Sequence, residues 1–254
     1  MWNELFLVPF FTGLVLAVLL PVLGCYLRLR DEWLAALAYA HLAAGGALLG
    51  LIAGLPTAAG GVGVAALAGA GKRLFAARLS GGASYALLLL GGWAVAVLVA
   101  ANHPLAERLG HALFDGQLYF SDVGMLQLVT AGAVIALLAL WRLSRHLLLA
   151  HIYPDFFRIR GLPAWPTQIG FDVLAALCLA LATMSLGVMG AFALLFIPPW
   201  LAFRRGATWR IGILWATAIG VAAYLTAFGL ALYLDQPFGP MLALLLVFIG
   251  VLIA

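Results

Sequence analysis

Charge is scarce in this chain. Only 9% of its 254 residues are Asp, Glu, Lys or Arg, whereas 66% are hydrophobic and the mean hydropathy is +1.15. A water-soluble domain carries about 25% charged residues, so this composition excludes a soluble globular protein. A membrane-spanning helix needs about 20 apolar residues. The length therefore predicts an all-α, polytopic membrane helix bundle of about eight or nine transmembrane helices, forming a single domain over residues 1–254.

Cysteine is rare, and the N-terminus lacks positive charge. Cys25 and Cys178 belong to no zinc-type spacing, and we expect them to be packing thiols rather than a disulfide. The start Met1-Trp2-Asn3-Glu4 has no basic residue before the first apolar segment. This pattern argues against a cleaved signal peptide.

Common catalytic motifs are missing as well. The sequence has no Walker A motif, no His-Glu-x-x-His motif and no Gly-x-Ser-x-Gly motif. We therefore expect no enzymatic activity and no cofactor bound by this chain. The pI near 9.4 comes from basic residues at the ends of apolar segments, as in membrane proteins. We expect no nucleic-acid binding.

Nine apolar segments are present instead. The third is short and rich in Gly and Ala, which allows close helix packing, so we expect an interior helix. In the seventh, Pro198-Pro199 is predicted to break the helix, since proline removes a backbone donor. The nine segments are Leu5–Leu27, Trp33–Leu55, Ala58–Gly71, Ala83–Ala101, Gly124–Leu149, Gln168–Leu186, Val188–Phe203, Trp209–Leu234 and Pro240–Ala254.

Basic residues fall in every second connection between these segments. The positive-inside rule then places the N-terminus outside and the C-terminus in the cytoplasm of a multi-pass protein of the cell's inner (plasma) membrane. The loop Asn102–Ser121 faces outward, and Ser121 is expected to cap the following helix, with Asp122 in its first turn. The basic residues on the cytoplasmic side are Arg28, Arg30, Lys72, Arg73, Arg78, Arg142, Arg145, Arg158, Arg160, Arg204, Arg205 and Arg210.

The segment His151–Pro163 is the longest polar and basic stretch of the chain. A simple pore has little need for such a segment. A membrane subunit that receives force from a soluble partner does need one. The function is therefore expected to involve a protein other than this chain.

A few ionisable residues are candidates for chemistry. His41 lies midway along the second apolar segment, where an ionisable residue is a functional-site hypothesis by default. It could ligate a metal ion or simply bond to the carbonyl of a neighbouring helix. His103 and His111 flank the outer loop and could meet a metal or a delivery protein, or be solvated. Asp172 is expected to pair with a nearby Arg.

Several segments resemble the permease subunits of metal-type ABC importers, the zinc and manganese uptake family. Each motif alone is weak, but together they cover nearly the whole chain in the right order. The segments are Ala40-His41, Leu113-Phe114-Asp115-Gly116 with Ser121-Asp122, Pro154-Asp155 to Gly161, Gly187 to Pro198, and Asp235 to Pro240.

The resemblance implies a homodimeric membrane domain that imports a divalent transition-metal ion, with zinc and manganese as the leading candidates. A cytoplasmic ATP-binding subunit would drive it, and an extracytoplasmic solute-binding protein would deliver the ion. The expected break in the seventh segment suggests in addition that Gly187, Gly190 and Pro198 border the path, or alternatively that they only bend a packed helix. The segment 151–165 would couple to the ATPase, with Phe156 or Phe157 filling its groove. The coupling residues implied are Asp155, Phe156, Phe157, Arg158, Arg160 and Gly161.

The chain departs from this family's pattern near the substrate. In the family a carboxylate precedes the His by four residues, on the same helix face, and here that position is Leu37. A zinc or manganese site of the family's usual kind therefore does not follow. His41 could form a weak, transient site alone, the substrate could be a metal chelate or another small solute, or the chain could form part of a mixed dimer. The alternatives from other classes are a stand-alone carrier coupled to protons through His41 and a non-transporting scaffold.

Overall fold

The computed structural model describes residues 6–76, 81–153, 155–204 and 208–253, without the side chains of 73–76, 81 and 158. Of the residues singled out above, Arg78, Pro154, Arg205 and the side chains of Arg73 and Arg158 thus lie outside the described part. The described chain is helical, apart from its turns. Its elements are α1 (Leu7–Leu29), α2 (Trp33–Ile52), α3 (Thr57–Ala76), α4 (Gly81–Asn102), α5 (Pro104–Asp115), a 3-10 turn (Leu118–Phe120), α6 (Val123–Ile152), α7 (Phe156–Ile159), α8 (Trp165–Phe203), α9 (Trp209–Leu234) and α10 (Phe238–Ile253).

Long apolar helices dominate this architecture. Within the described residues, six helices are long and apolar enough to cross a membrane, namely α1, α2, α4, α6, α8 and α9. α10 is equally apolar but shorter, with 16 residues. The prediction of an all-α polytopic bundle is confirmed. α2 and α8 are mostly buried inside it, whereas α4 and α6 present most of their surface outward.

α8 folds back on itself at Gly187. A straight helix would place Asp172 and Phe203 about 46 Å apart, at about 1.5 Å per residue. Yet Asp172 pairs with Arg30 and Phe203 lies under the guanidinium of Arg28, so both ends of α8 meet the end of α1. Gly187, at φ 77° and ψ 166°, supplies the reversal. α8 therefore consists of two antiparallel segments, 165–186 and 188–203, in agreement with the predicted sixth and seventh segments.

Pro198 and Pro199 do not break the helix, contrary to the prediction. The helix runs through both prolines to Phe203. Pro199 lacks the N–H that would bond to the carbonyl of Leu195, and that carbonyl lies against the backbone of Gly24 in α1. A side chain at position 24 would collide with this carbonyl, so glycine there lets α1 pack directly against the proline-containing part of α8. The break occurs at Gly187 instead.

The predicted outer loop Asn102–Ser121 is mostly a helix, α5, followed by the 3-10 turn. Pro104 stands at the first position of α5, where the missing N–H costs nothing. The helix ends at Gly116, whose φ of 92° favours glycine. The cap of α6 also differs from the prediction, because the Asp122 carboxylate, not Ser121, accepts the N–H of Met125 at 2.7 Å.

Small residues bring α3 into backbone contact with its neighbours. A Cβ added at Gly60 would come within 2.9 Å of the Cα of Gly50, and one at Gly46 within 2.7 Å of the carbonyl oxygen of Gly60. The close packing that its composition predicts is present. The prediction of an interior helix is nevertheless wrong, because only the face with Gly61, Ala65 and Gly69 is buried, whereas Leu67 on another face is 74% exposed. α3 is also longer than predicted and extends over Thr57–Ala76.

Candidate substrate site and coupling surface

His41 is buried on α2, with 5% of its surface exposed. Its Nδ1 lies 2.8 Å from the carbonyl oxygen of Leu37, one turn earlier in the same helix. Because a carbonyl oxygen only accepts, Nδ1 carries a proton and donates it. In the neutral ring Nε2 is then the unprotonated nitrogen that can bind a metal ion. The alternative bond to a carbonyl of a neighbouring helix is not found among the described residues, and the bond within α2 fixes the ring as metal-binding histidines are usually fixed.

α4 and α5 cover this histidine. The ring of Phe114 in α5 lies 5.8 Å from the His41 ring, centroid to centroid. On α4, a Cβ added at Gly92 would come within 2.8 Å of the His41 carbonyl carbon, so the two backbones touch there. Sequence reasoning missed this role of Phe114 because the segment was predicted to be a loop. The high amphipathicity of Pro104–Asp115 is the signal that could have revealed the helix.

Three glycines bring the end of α5, the reversal of α8 and the start of α10 together next to Phe114. A Cβ at Gly187 would lie 2.6 Å from both the Gly116 nitrogen and the Phe114 carbonyl oxygen. A Cβ at Gly239 would meet the carbonyl oxygens of Asp115 and Leu186. We call Gly116, Gly187 and Gly239 the glycine junction. The junction fixes the position of α5 over His41.

The predicted path residues on α8 are buried, but they do not surround His41. Gly190 packs against Gly239, with 3.2 Å between its added Cβ and the Gly239 Cα. Pro198 lies inside the second segment of α8, towards the end of the bundle where α1 ends. Gly187 is the only one of these residues whose neighbours include Phe114, and hence the wall over His41.

Two buried hydroxyl groups lie just before the α8 reversal. Thr183 and Ser185 are almost fully buried, and their hydroxyl oxygens have no hydrogen-bond partner among the described residues. Hydroxyls in helices commonly bond to the carbonyl four residues earlier. Buried polar groups without such a bond need a water or ligand. Sequence reasoning did not single out these residues, although small polar residues in an apolar span are a visible signal.

A cavity of about 250 Å³ opens between α3, α5, α6 and the 3-10 turn. Gln117, Ser121 and Asp122 supply oxygen atoms to its wall, and Met184 of α8 forms part of its lining. Met184 also packs in the apolar cluster that includes Ala40, the residue before His41. Met184 is thus shared by this cavity and by the apolar cluster beside His41, although His41 itself does not line the cavity. His103 and His111 are not among its lining residues; His103 precedes α5 as its N-cap and His111 is exposed.

No preformed metal centre is visible in the described part of the chain. No group of three or more His, Cys, Asp or Glu side chains there could hold a metal ion. Cys25 and Cys178 are free and buried, as expected for packing thiols. His41 therefore offers one nitrogen without a carboxylate beside it.

Four charged residues form an ionic cluster at the end of the bundle where α1 ends. Arg30 forms two ion pairs, with its Nη2 3.0 Å from an Asp172 carboxylate oxygen and its Nε 2.9 Å from a Glu32 carboxylate oxygen. Lys72 Nζ lies 2.7 Å from Glu32 and 3.2 Å from Asp172. The expected pairing of Asp172 with an arginine is confirmed. The cluster ties together α1, α2, α3 and α8 with no net charge.

Aromatic rings enclose this ionic cluster. The Arg30 guanidinium lies 4.8 Å from the ring centroid of Phe171, and Lys72 Nζ lies 5.0 Å from that of Tyr85. Such contacts add to the attraction between the paired charges. His41 is nine residues from Glu32, or about 14 Å along the helix axis at about 1.5 Å per residue. That distance is about half the thickness of a hydrocarbon core of about 30 Å.

The predicted coupling segment contains the short helix α7. Phe157 is buried, with 7% exposed, and its ring lies 6.5 Å from that of His146 in α6. Phe157 thus anchors α7 to the bundle. Phe156 is half-buried beneath the guanidinium of Arg160, at 5.1 Å. Ile159 is 80% exposed and is the apolar side chain that α7 presents outward.

The end of the coupling segment is a turn at Gly161. Its φ of 63° favours glycine, and no atom lies within 4 Å of an added Cβ. The turn therefore requires glycine for its backbone conformation rather than for space. Asp155 and Arg160 are exposed on either side of α7.

Comparison with known proteins identifies the family. The model of the ABC 3 transport family matches residues 3–254. The chain belongs to this family. It is accordingly a multi-pass membrane protein and a non-catalytic membrane component of a transporter. The resemblance noted in the sequence is thereby confirmed.

Curated relatives of the chain in this family include two bacterial proteins. One is a Haemophilus influenzae membrane protein named for an iron transport system, 25% identical over 236 residues, which are 92% of this chain and 87% of that protein. The other is the chelated iron transport system membrane protein YfeD of Yersinia pestis. It is 24% identical over 251 residues, or 96% of this chain and 84% of that protein.

Two solved structures share the fold at 18% sequence identity each. PsaBC from Streptococcus pneumoniae, in complex with Fab, superposes with a TM-score of 0.85 and covers 99% of this chain and 91% of that chain. An inward-facing transporter assigned to the metal-chelate type of ABC transporter gives a TM-score of 0.76, covering 96% and 84%. At this identity the likeness concerns the fold alone.

Proposed function

We propose that this chain is the membrane subunit of an ATP-driven importer that moves a divalent transition-metal ion into the cytoplasm. The observation that carries the proposal is the geometry of His41. Its Nδ1 is held by the Leu37 carbonyl, so Nε2 is available to a metal ion near the middle of the membrane. The cavity lined by Met184 gives the ion a route from the opposite end of the bundle.

The site chemistry favours weak, transient binding. A single imidazole nitrogen, with Leu37 where the family has a carboxylate, cannot form a tight site for a hard cation such as Mn²⁺. Weak binding suits transport, because a tight site would trap the ion. Zinc and manganese are the candidates from the sequence, and the names of the two curated relatives add iron.

The partners follow from the position of the polar surfaces. We place the ionic cluster and α7 in the cytoplasm, the N-terminus outside and the C-terminus inside, as the positive-inside rule requires. A separate ATP-binding subunit then contacts α7 through Ile159, Asp155 and Arg160. A solute-binding protein delivers the ion near α5, and a second copy of the chain completes the membrane domain.

Uptake of radioactive zinc, manganese and iron tests the proposal. The measurement uses cells that carry the complete transporter with either His41→Ala or Thr226→Ala in this chain. We expect His41→Ala to lower uptake of the transported metal about tenfold or more, a loss typical of disturbed metal ligation. Thr226→Ala removes an exposed polar side chain of α9, far from α5 and α7 in the chain, and should leave uptake unchanged. Full uptake by His41→Ala at equal membrane abundance would contradict the assignment.

A metal chelate is the second candidate substrate. The missing carboxylate at Leu37 favours it, because a chelated metal arrives with its own ligands and needs fewer from the protein. Uptake of the metal with its chelator, unaffected by His41→Ala, would support this alternative. The stand-alone proton-coupled carrier is disfavoured by family membership, and co-purification of an ATP-binding subunit would exclude it.

A further inference from the structure

A second polar cavity lies at the end of the bundle that carries the ionic cluster. It has a volume of about 410 Å³, within the range of ligand sites of roughly 300–1,000 Å³. It lies where α1, α6 and the second α8 segment end and α2 and α9 begin. Neither His41 nor the ionic cluster contributes to it. Its polar and aromatic lining includes Arg28, Asp31, Trp33, His151, Phe203 and Trp209.

Arg28 is the notable side chain of this cavity. It is half-buried, and its guanidinium lies 5.6 Å from the ring centroid of Phe203. Within the described residues it forms neither an ion pair nor a side-chain hydrogen bond. Arg30, two residues later, pairs with two carboxylates. A partly buried guanidinium without a neighbouring anion has N–H donors free for a ligand. Two oxygen atoms of a phosphate group can accept two parallel hydrogen bonds from these donors.

The cavity also holds one carboxylate, Asp31. The residue adopts a left-handed conformation, with φ 55°, and its N–H donates to the Arg28 carbonyl at 3.0 Å. This tight turn sets a carboxylate close to the guanidinium without pairing them. A ligand that fits both carries a singly charged phosphate and, beyond it, a group with N–H or O–H donors.

The surroundings of the cavity are those of a membrane surface. Trp33 and Trp209 stand at the helix ends, where aromatic belts occur. In α6 and α9, which contribute His151 and Trp209 to the lining, Ile152, Ile211 and Leu214 are exposed apolar side chains that could contact acyl chains. Basic pockets between helices on the cytoplasmic side bind lipid headgroups.

We propose that this cavity binds the headgroup of a phospholipid of the inner leaflet, with its phosphate on Arg28 and a donor-bearing group facing Asp31. Phosphatidylethanolamine and phosphatidylglycerol satisfy this requirement. Phosphatidylcholine does not, because its trimethylammonium group has no N–H donor. The bound lipid stabilises the place where the α1–α2 turn meets α6, α8 and α9.

Native mass spectrometry of the full chain in detergent tests this proposal, with the three phospholipids added in equal amounts. We expect one retained phosphatidylethanolamine or phosphatidylglycerol molecule per chain. In Arg28→Gln the affinity should fall about tenfold, as loss of a charge-assisted bond predicts. Arg28→Lys keeps the charge but cannot form the two parallel bonds, so its affinity should lie between those of the wild type and Arg28→Gln. Arg210→Gln, which removes an exposed charge from the same end, should change nothing.

A second variant keeps the test decisive if Arg28→Gln fails to fold. Asp31→Asn keeps the left-handed turn, since asparagine tolerates that conformation. It should bring phosphatidylcholine close to the other two lipids in affinity. Equal lipid retention by the wild type and Arg28→Gln, or equally tight binding of phosphatidylcholine to the wild type, would overturn the proposal. So would displacement of the lipid by millimolar inorganic phosphate.

Binding of a protein side chain in the cavity would give a different experimental result. If Arg28→Gln abolished co-purification of an ATP-binding subunit but left lipid retention unchanged, the cavity would take an acidic side chain of that partner, and the lipid proposal would fail. Loss of lipid with unchanged metal uptake would support the lipid site without bearing on His41.

Discussion

Single backbone positions decide how this bundle closes. Gly187 adopts a φ of 77° and a ψ of 166°, a region open essentially to glycine alone. It reverses the chain and touches the backbone of Phe114 and Gly116. One residue thereby sets the direction of the second α8 segment and the position of α5 over His41.

Replacement of Gly187 by alanine should be strongly destabilising. The conformation alone costs about 1–3 kcal/mol for a residue with a Cβ, and the new Cβ would also overlap the junction backbone. We expect the free energy of unfolding, measured by denaturant titration in detergent, to fall by about 3 kcal/mol. Gly63→Ala is the matched control, because nothing lies within 4 Å of its added Cβ. Equal stability of the two variants would contradict the assigned role of Gly187.

At the scale of helices, two kinds of contact hold α3 in place. Glycine contacts fix its first half against α2, where Gly60 meets Gly46 and Gly50. Its second half is held by Lys72, which joins Glu32 and Asp172. The glycine contacts depend on packing alone, whereas the ion pairs depend on complete charge neutralisation. Removal of one charge from the cluster should therefore cost more than removal of two opposite ones.

Lys72→Met should lower the free energy of unfolding by about 2–3 kcal/mol, because Glu32 and Asp172 would then share only Arg30 in a poorly solvated site. The double variant Lys72→Met/Glu32→Gln restores neutrality and should recover part of this loss. Arg142→Gln, at an exposed position of α6, should change stability by less than about 0.5 kcal/mol. A double variant less stable than expected from the sum of its single variants would argue against the pairing as described.

The whole molecule has two distinct ends. The ends of α1 and α3 that carry Arg28 and Lys72, together with Arg30 in the turn after α1, gather at one end, and α5 with the start of α10 lies at the other. At that other end Tyr119 packs against Phe238, and burial raises the pKa of Tyr119 to about 12, so its hydroxyl stays neutral near pH 7. The contacts fix which turns share an end, and the positive-inside rule assigns the sides.

Cysteine labelling in intact cells can check the orientation. A membrane-impermeant maleimide should label Gln236→Cys, in the exposed turn before α10, from outside. Arg210→Cys, exposed at the start of α9 and outside the proposed contact with the ATP-binding subunit, should react only after the membrane is permeabilised. The native Cys25 and Cys178 are buried and should stay unlabelled in both cases, which provides an internal control. The reverse pattern would mean that the bundle is inserted the other way round.

The sequence by itself determined the class of protein and most span positions, because a span is a local property that depends on about 20 apolar residues and on charges at their ends. The order of short motifs along the chain was enough to identify the family. The match of the family model over residues 3–254 confirms this identification. The proton position on His41 could not be read from the sequence, although its partner Leu37 lies only one turn away. A side-chain rotamer depends on the packing around it.

Only the tertiary structure decided what surrounds the functional candidates. Polarity in the segment Asn102–Ser121 suggested a loop, but apolar contacts with α2 and α4 make it a helix above His41. Phe157 was expected to face a partner, yet it packs against His146, and Ile159 faces outward instead. Such contacts join residues distant in the chain, so no local pattern encodes them. The sequence states which residues prefer lipid, whereas the packing decides which of them remain accessible to an ion, a lipid headgroup or another subunit.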